Sequence, residues 1–178
     1  MNKKMQDGAR LGGRFQVECY RPDGSLAWTE DVHNVVTDEG LAHLLDAVLH
    51  GSTQITAWYC TLVESNTTPV ANLTYATPSY TECTAYDEET RPAYTEAAAT
   101  GDPPTTTNSA NKAVFTISDS KTLYGASIVG GGTSATTKGD TAGGGTLLCY
   151  AKFGASQAVQ DNYVVNLTYS LSADDDEV

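Results

Sequence analysis

The chain has 178 residues, of which 40% are hydrophobic and 18% charged, and a formal net charge of −12. That length suits one well-packed domain and is short for two, and the acidic balance excludes a nucleic-acid binder, which needs clustered Lys and Arg to displace counterions from phosphates. No apolar run is long enough to cross a membrane and no apolar signal-peptide segment stands early in the chain, so the expectation is a protein made in a cytoplasm, without a membrane partner.

Threonine, with 25 copies, supplies much of the uncharged polar surface and suits a pleated sheet, where a β-branched side chain packs while its hydroxyl meets water. Lys3, Lys4, Arg10, Arg14 and Arg21 are five of the ten Lys and Arg, whereas Asp174, Asp175, Asp176 and Glu177 close the chain. Residues 1–13, rich in charge and glycine and without a period, read as an N-terminal arm that either meets an acidic partner or stays solvated. Residues 14–172 read as one β domain and 173–178 as an acidic tail.

Phe15, Val17 and Cys19 alternate with polar positions, and after the turn Arg21-Pro22-Asp23-Gly24 a second alternating run carries Leu26 and Trp28, which predicts a hairpin. From Asp38 to His50 the residues Leu41, Leu44, Leu45, Val48 and Leu49 fall at helical spacing. Thr37 is placed to cap the first turn and Gly51 to end the last, so a single amphipathic helix is predicted to lay one stripe on a sheet. Ile55 to Val63 reads as a central strand and Tyr80 to Tyr86 as another. Asp87 to Asn111, with acidic residues, small residues and Pro103-Pro104, reads as a long surface loop.

Ala113 to Ser118, Leu123 to Val129, Thr146 to Phe153 and Tyr163 to Leu171 each read as strands, the last with Tyr163, Val165, Leu167, Tyr169 and Leu171 on one face. The Gly/Thr/Ser stretch from Gly130 to Gly145 reads as a mobile loop. The sum is a mainly β fold, a two-sheet sandwich with one short helix, of which the jelly roll is one version.

Chemistry is weakly signalled. Cys19, Cys60, Cys83 and Cys149 are too widely spaced for a zinc site or a C-x-x-C motif; they read as buried free thiols, with disulfides formed outside the reducing cell as the alternative. His33, His43 and His50 have no Glu or Cys at ligand spacing and read as surface histidines. Asp87, Glu88 and Glu89 would suit paired-carboxylate hydrolysis or calcium only if brought together, and adjacent loop carboxylates are usually just solvated. The glycine runs form no phosphate loop, Lys138 reads as a loop lysine, and no G-x-S-x-G elbow is present. No enzyme, cofactor or metal is expected. Tyr75, Tyr80, Tyr86 and Tyr94, in or beside loops, offer a sugar-binding face as a separate reading.

One series of motifs carries a resemblance. It runs through Asn34-Val35-Val36-Thr37 with Gly40 and Leu44-Leu45, Thr56-Ala57-Trp58-Tyr59, Thr84-Ala85-Tyr86, Thr90-Arg91-Pro92-Ala93-Tyr94, Asn111 to Ile117, Leu123-Tyr124-Gly125-Ala126 and Val165 to Tyr169. In this order the chain resembles a group of small tailed-bacteriophage virion proteins over residues 32 to 171. The resemblance implies a β-rich structural component, in some members a head decoration or cement protein bound to the major capsid protein lattice, and no catalytic residues. On that expectation the chain acts in the virion as a dimer or trimer. Its contacts come from Lys3, Lys4, Arg10 and Arg14 of the arm and from Tyr86, Arg91 and Tyr94 at the 87–111 loop. A tail, neck or fibre component and a carbohydrate-binding module are the alternatives.

Overall fold

Alternating side chains make a strand with one buried face, and the first hairpin forms on that basis. In a computed structural model that describes residues 8–175, β1 (Ala9–Tyr20) turns Phe15, Val17 and Cys19 into the core. It pairs antiparallel with β2 (Leu26–His33) from Arg14 opposite His33 to Tyr20 opposite Leu26. The turn closes as its sequence demands: Gly24 adopts φ +81°, and the Asp23 side chain accepts from the Ser25 amide at 2.9 Å.

The chain continues through β3 (Val35–Val36), helix α1 (Asp38–Leu45), a π-helical turn (Asp46–His50) and β4 (Trp58–Val63). There follow β5 (Glu82–Cys83), β6 (Ala93–Tyr94), β7 (Thr105–Thr107), β8 (Ala113–Thr116), β9 (Lys121–Gly130), β10 (Thr146–Val159) and β11 (Val164–Asp175). The first sheet has the order β2-β1-β11-β7, with β8 also on β11; the second has the order β3-β10-β9-β4-β5, with β6 also on β4. Every pairing is antiparallel. The expected sandwich of two sheets is what forms, and β1–β2 and β9–β10 are hairpins within their own sheets.

One apolar cluster fills the space between the sheets. Phe15, Val17, Cys19, Phe115, Val165, Leu167 and Tyr169 come from the first sheet, and Cys60, Leu62, Ala126, Ile128, Cys149, Ala151 and Phe153 from the second. The Phe15 and Tyr169 rings, on paired strands, lie with centroids 4.6 Å apart. A second cluster of Val63, Leu73, Tyr75, Val129, Leu147 and Tyr150 occupies the other face of the second sheet. That sheet is therefore covered on both sides, which is why β4, β9 and β10 read as apolar runs rather than as strict alternations.

Several expectations need correction. The strand ladder reaches into both predicted tails: Ala9 to Gly13 pair with Asp175 to Leu171. Backbone groups make that pairing, so charge and glycine do not forbid it, and a side chain on Gly13 would collide with Asn34 and Tyr169. Lys3, Lys4, Asp176 and Glu177 lie outside the described residues. The Tyr80–Tyr86 strand shrinks to Glu82–Cys83, and the 87–111 loop contains β6 and β7. It also contains the buried Asn108, whose side chain donates to Leu167 O at 3.1 Å and accepts from the Tyr169 amide at 2.7 Å, in the manner of a strand neighbour. Ser134 and Ala135, in the glycine-rich stretch predicted to be mobile, are buried.

The helix is the largest departure. Thr37 caps it as expected, accepting from the Gly40 amide at 2.9 Å. Gly40 rests against the backbone of Leu148, where a Cβ would stand 2.5 Å from the Leu148 carbonyl oxygen, so the first turn is pressed onto β10. Beyond Leu44 the packing ends. The next turn closes from Gly51 N–H to Asp46 O, a π-type spacing that breaks the 3.6-residue period, and its main neighbour is α1. Leu45 is 60% exposed and Val48 and Leu49 are each 79% exposed, so the lower half of the predicted stripe faces outward.

Because Phe15 is fully buried and stacked on Tyr169, Phe15→Ala is expected to cost about 3–5 kcal/mol, read as a lower urea midpoint at unchanged slope. A loss below about 1 kcal/mol would show that this part of the core collapses around the cavity.

Candidate functional site

The residues singled out from sequence fall into two groups. Arg10 and Arg14 sit on the outer face of β1, beside an open groove of about 820 Å³ shared with Gly12, His33, Pro103, Ser170, Ser172 and Asp174. Arg14 forms a two-pronged pair with Asp31 on β2 and holds that carboxyl below its ordinary range. Both side chains are about half exposed, so the pair contributes little to stability.

Tyr86, Arg91 and Tyr94 are 2%, 2% and 6% exposed, which corrects their assignment as contact residues: each faces inward. Tyr86 lies edge-on to Phe115 and Tyr94 edge-on to Tyr169, both within the main core. Tyr75 is buried as well, leaving Tyr80 half-buried as the most accessible of the four tyrosines proposed for a sugar face.

Arg91 is the centre of the largest polar constellation. Its Nε and Nη2 reach the Glu82 carboxylate at 2.9 and 2.6 Å. Nη1 donates to the Tyr75 hydroxyl and to Ala135 O, each at 3.0 Å, and Nη2 also donates to Asp140 O at 3.1 Å. Glu82 in turn accepts from the Gly139 amide at 2.9 Å. Burial pulls the guanidinium towards neutrality, but the Glu82 hydrogen bonds and charge outweigh it and hold the pKa above its ordinary value. All five donors of the fork are used, so this is a staple rather than a site with spare chemistry. A depression of about 520 Å³ opens beside it, lined by Glu64, Tyr75, Tyr80, Glu82, Arg91 and others. Its polar groups are paired too, Glu64 with Lys121 at 3.1 Å and Tyr80 with Ser127 at 2.6 Å.

The acidic triplet does not assemble. Asp87 and Glu89 are exposed, while the Glu88 carboxylate accepts from the Thr116 amide at 3.0 Å. Lys138, expected to be a plain loop lysine, donates to Tyr86 O and Glu88 O at 2.7 and 2.9 Å and stands 4.3 Å from the Tyr86 ring centroid. No group of three or more His, Cys, Asp and Glu is placed to hold a metal ion among the described residues. His43 accepts from the Ile55 amide at 3.4 Å and lies edge-on to Trp58, while His33 and His50 are exposed.

All four cysteines are free and buried. Burial raises the thiols of Cys19 and Cys83 to about 11 and that of Cys149 to about 12. Cys60 is pushed up as well, so none offers a thiolate at neutral pH.

The most exposed large apolar side chains are Leu45, Val48 and Leu49, at the outer end of the helix, next to the exposed Asp46 and His50. Sequence reasoning listed these residues but assigned them to the core. The available signal was length, since the stripe continues to Leu49 while only its first part finds a place on β10. Among the described residues no helix is long and apolar enough to cross a membrane. Comparison of the chain with protein-family models, with curated proteins and with solved structures finds no match.

Two outcomes follow from this geometry. Arg91→Met leaves the Glu82 carboxylate buried and unpaired, so a loss of about 3–5 kcal/mol is expected. The double change Arg91→Met with Glu82→Leu should recover part of it, while hydrogen exchange of the amides from 133 to 145 stays fast in both variants. Protection unchanged in that segment would disprove the staple.

The buried thiols and Tyr150, raised to about 12, are neutral when protonated and have folded pKa values above their unfolded ones. Their stabilising contribution is complete below the unfolded values, from the ordinary thiol at 9.0 upward, and is lost as pH rises through the folded values. The protein is expected to unfold between about pH 10 and 12, with buried-tyrosine absorbance and loss of circular dichroism in one step. Ionisation of the buried tyrosines well before unfolding would contradict this.

Proposed function

We propose that the chain is a structural protein of a tailed-bacteriophage particle, one that decorates the head by binding the major capsid protein lattice. The observation that carries this reading is the contrast between consumed and unused chemistry. The buried Arg91 and Glu82 are paired with each other and the thiols are buried, while three large aliphatic side chains face solvent at the helix end. Such a surface suits protein–protein contact. The resemblance over residues 32 to 171 supplies the kind of particle.

The charge of −12 favours solubility and mutual repulsion before assembly. A repeated lattice then amplifies modest individual affinity through valency. Sites on a head recur around two-fold and three-fold axes, so the proposal implies a dimer or trimer on the particle. The contacts first expected of Tyr86, Arg91 and Tyr94 move to exposed positions, the helix end and the 95–104 excursion. The carbohydrate-binding alternative loses the Tyr86 and Tyr94 rings on which it relied. A tail, neck or fibre position would use the same surface on another partner.

Quantitative mass spectrometry of purified particles tests the proposal. The expected result is a near-integer ratio to the major capsid protein, one copy per subunit or per small group of subunits. A few copies per particle would move the chain to the tail or neck, and its absence would end the virion reading.

A further inference from the structure

Leu45, Val48 and Leu49 fall within five consecutive residues at the outer end of the helix. Their exposures of 60%, 79% and 79% make one apolar knob. Gly40 on the Leu148 backbone anchors the root of the helix, and the π turn ends at Gly51 in a left-handed conformation with φ +72°. The knob thus stands at the outer end of a short helix whose root is packed on β10. Asp38 and Asp46 are exposed on the same helical segment, whose bases are His43 and His50.

Two features decide what can cover it. The first is area: three side chains fall well short of the about 800 Å² per partner of a standard interface, so whatever covers the knob must add contacts around it. The second is charge. A second copy would bring the same acids and a further −12 to the contact, and an anionic lipid surface would repel the chain in the same way. We infer that the knob inserts into an apolar pocket on a different folded protein, a pocket rimmed by Lys and Arg that face Asp38 and Asp46. The identity of that protein as the capsid subunit rests on the function proposed above; the chemistry of the pocket does not.

The test places a photo-crosslinker in the full chain, as Val48→p-benzoylphenylalanine, in the cells that produce the protein, and maps the linked peptides. The result expected is one dominant partner, linked at apolar residues bordered by Lys or Arg. Binding of that purified partner should weaken as NaCl rises and fall at least about tenfold for Val48→Asp with Leu49→Asp. The pair Val48→Ser with Leu49→Ser, equally exposed, serves if the aspartates disturb the helix. Links to a second copy, to residues 1–7 of this chain or to no protein would overturn the inference, as would undiminished partner binding by both double variants or knob-dependent flotation with phosphatidylglycerol vesicles. A basic-rimmed pocket on a protein other than the capsid subunit would uphold the knob and sink the head assignment, which keeps the two failures apart.

Discussion

The outer half of this fold hangs on one guanidinium. Arg91 faces Glu82 on one side and the Tyr75 hydroxyl and the carbonyls of Ala135 and Asp140 on the other. Removing two charges from water is costly, so the ion pair itself adds little net stability. What a planar fork supplies is direction: five donors in fixed geometry fit a carboxylate and several carbonyls at once, which a lysine cannot do. The path of the glycine-rich chain and the seat of the Tyr75 segment follow from those directions. With them in place, the cluster of Val63, Leu73, Tyr75, Val129, Leu147 and Tyr150 is roofed.

The strands that alternate or run apolar were legible because side-chain period and burial are two sides of one geometry. β1, β4, β9, β10 and β11 come out close to where the pattern puts them. The glycine-rich segment was misread because composition reports side chains and its order comes from main-chain oxygens that accept from an arginine some forty residues away in sequence. Tyr86, Arg91 and Tyr94 were misread for the opposite reason: they lie in a polar stretch, but each has its own inward partner. The helix stripe was read correctly as apolar and wrongly as buried, since periodicity states which residues share a face and not how much sheet lies beneath it.

The motifs behind the phage resemblance turn out to be residues that hold the fold. Thr37 caps the helix, Gly40 lets it touch β10, and Tyr86, Arg91 and Tyr94 are interior. Such positions recur where an architecture recurs, whereas a contact surface is free to vary with its partner. The knob of Leu45, Val48 and Leu49 lies mostly outside those motifs.

The pairing of β1 with β11 joins the first strand of the sequence to the last, and β11 is also the strand on which β7 and β8 lean. During synthesis the second sheet can gather its strands as they emerge, but the first has only its β1–β2 hairpin until β11 is available. Until then Phe15, Val17 and Cys19 are paired with β2 alone, and the chain carries a long-range closure of the kind that folds slowly. Loss of β11 would remove the middle of a sheet. Closure of the sandwich therefore waits on one pairing between segments about 150 residues apart, and until it forms the inner face of the β1–β2 hairpin stays open.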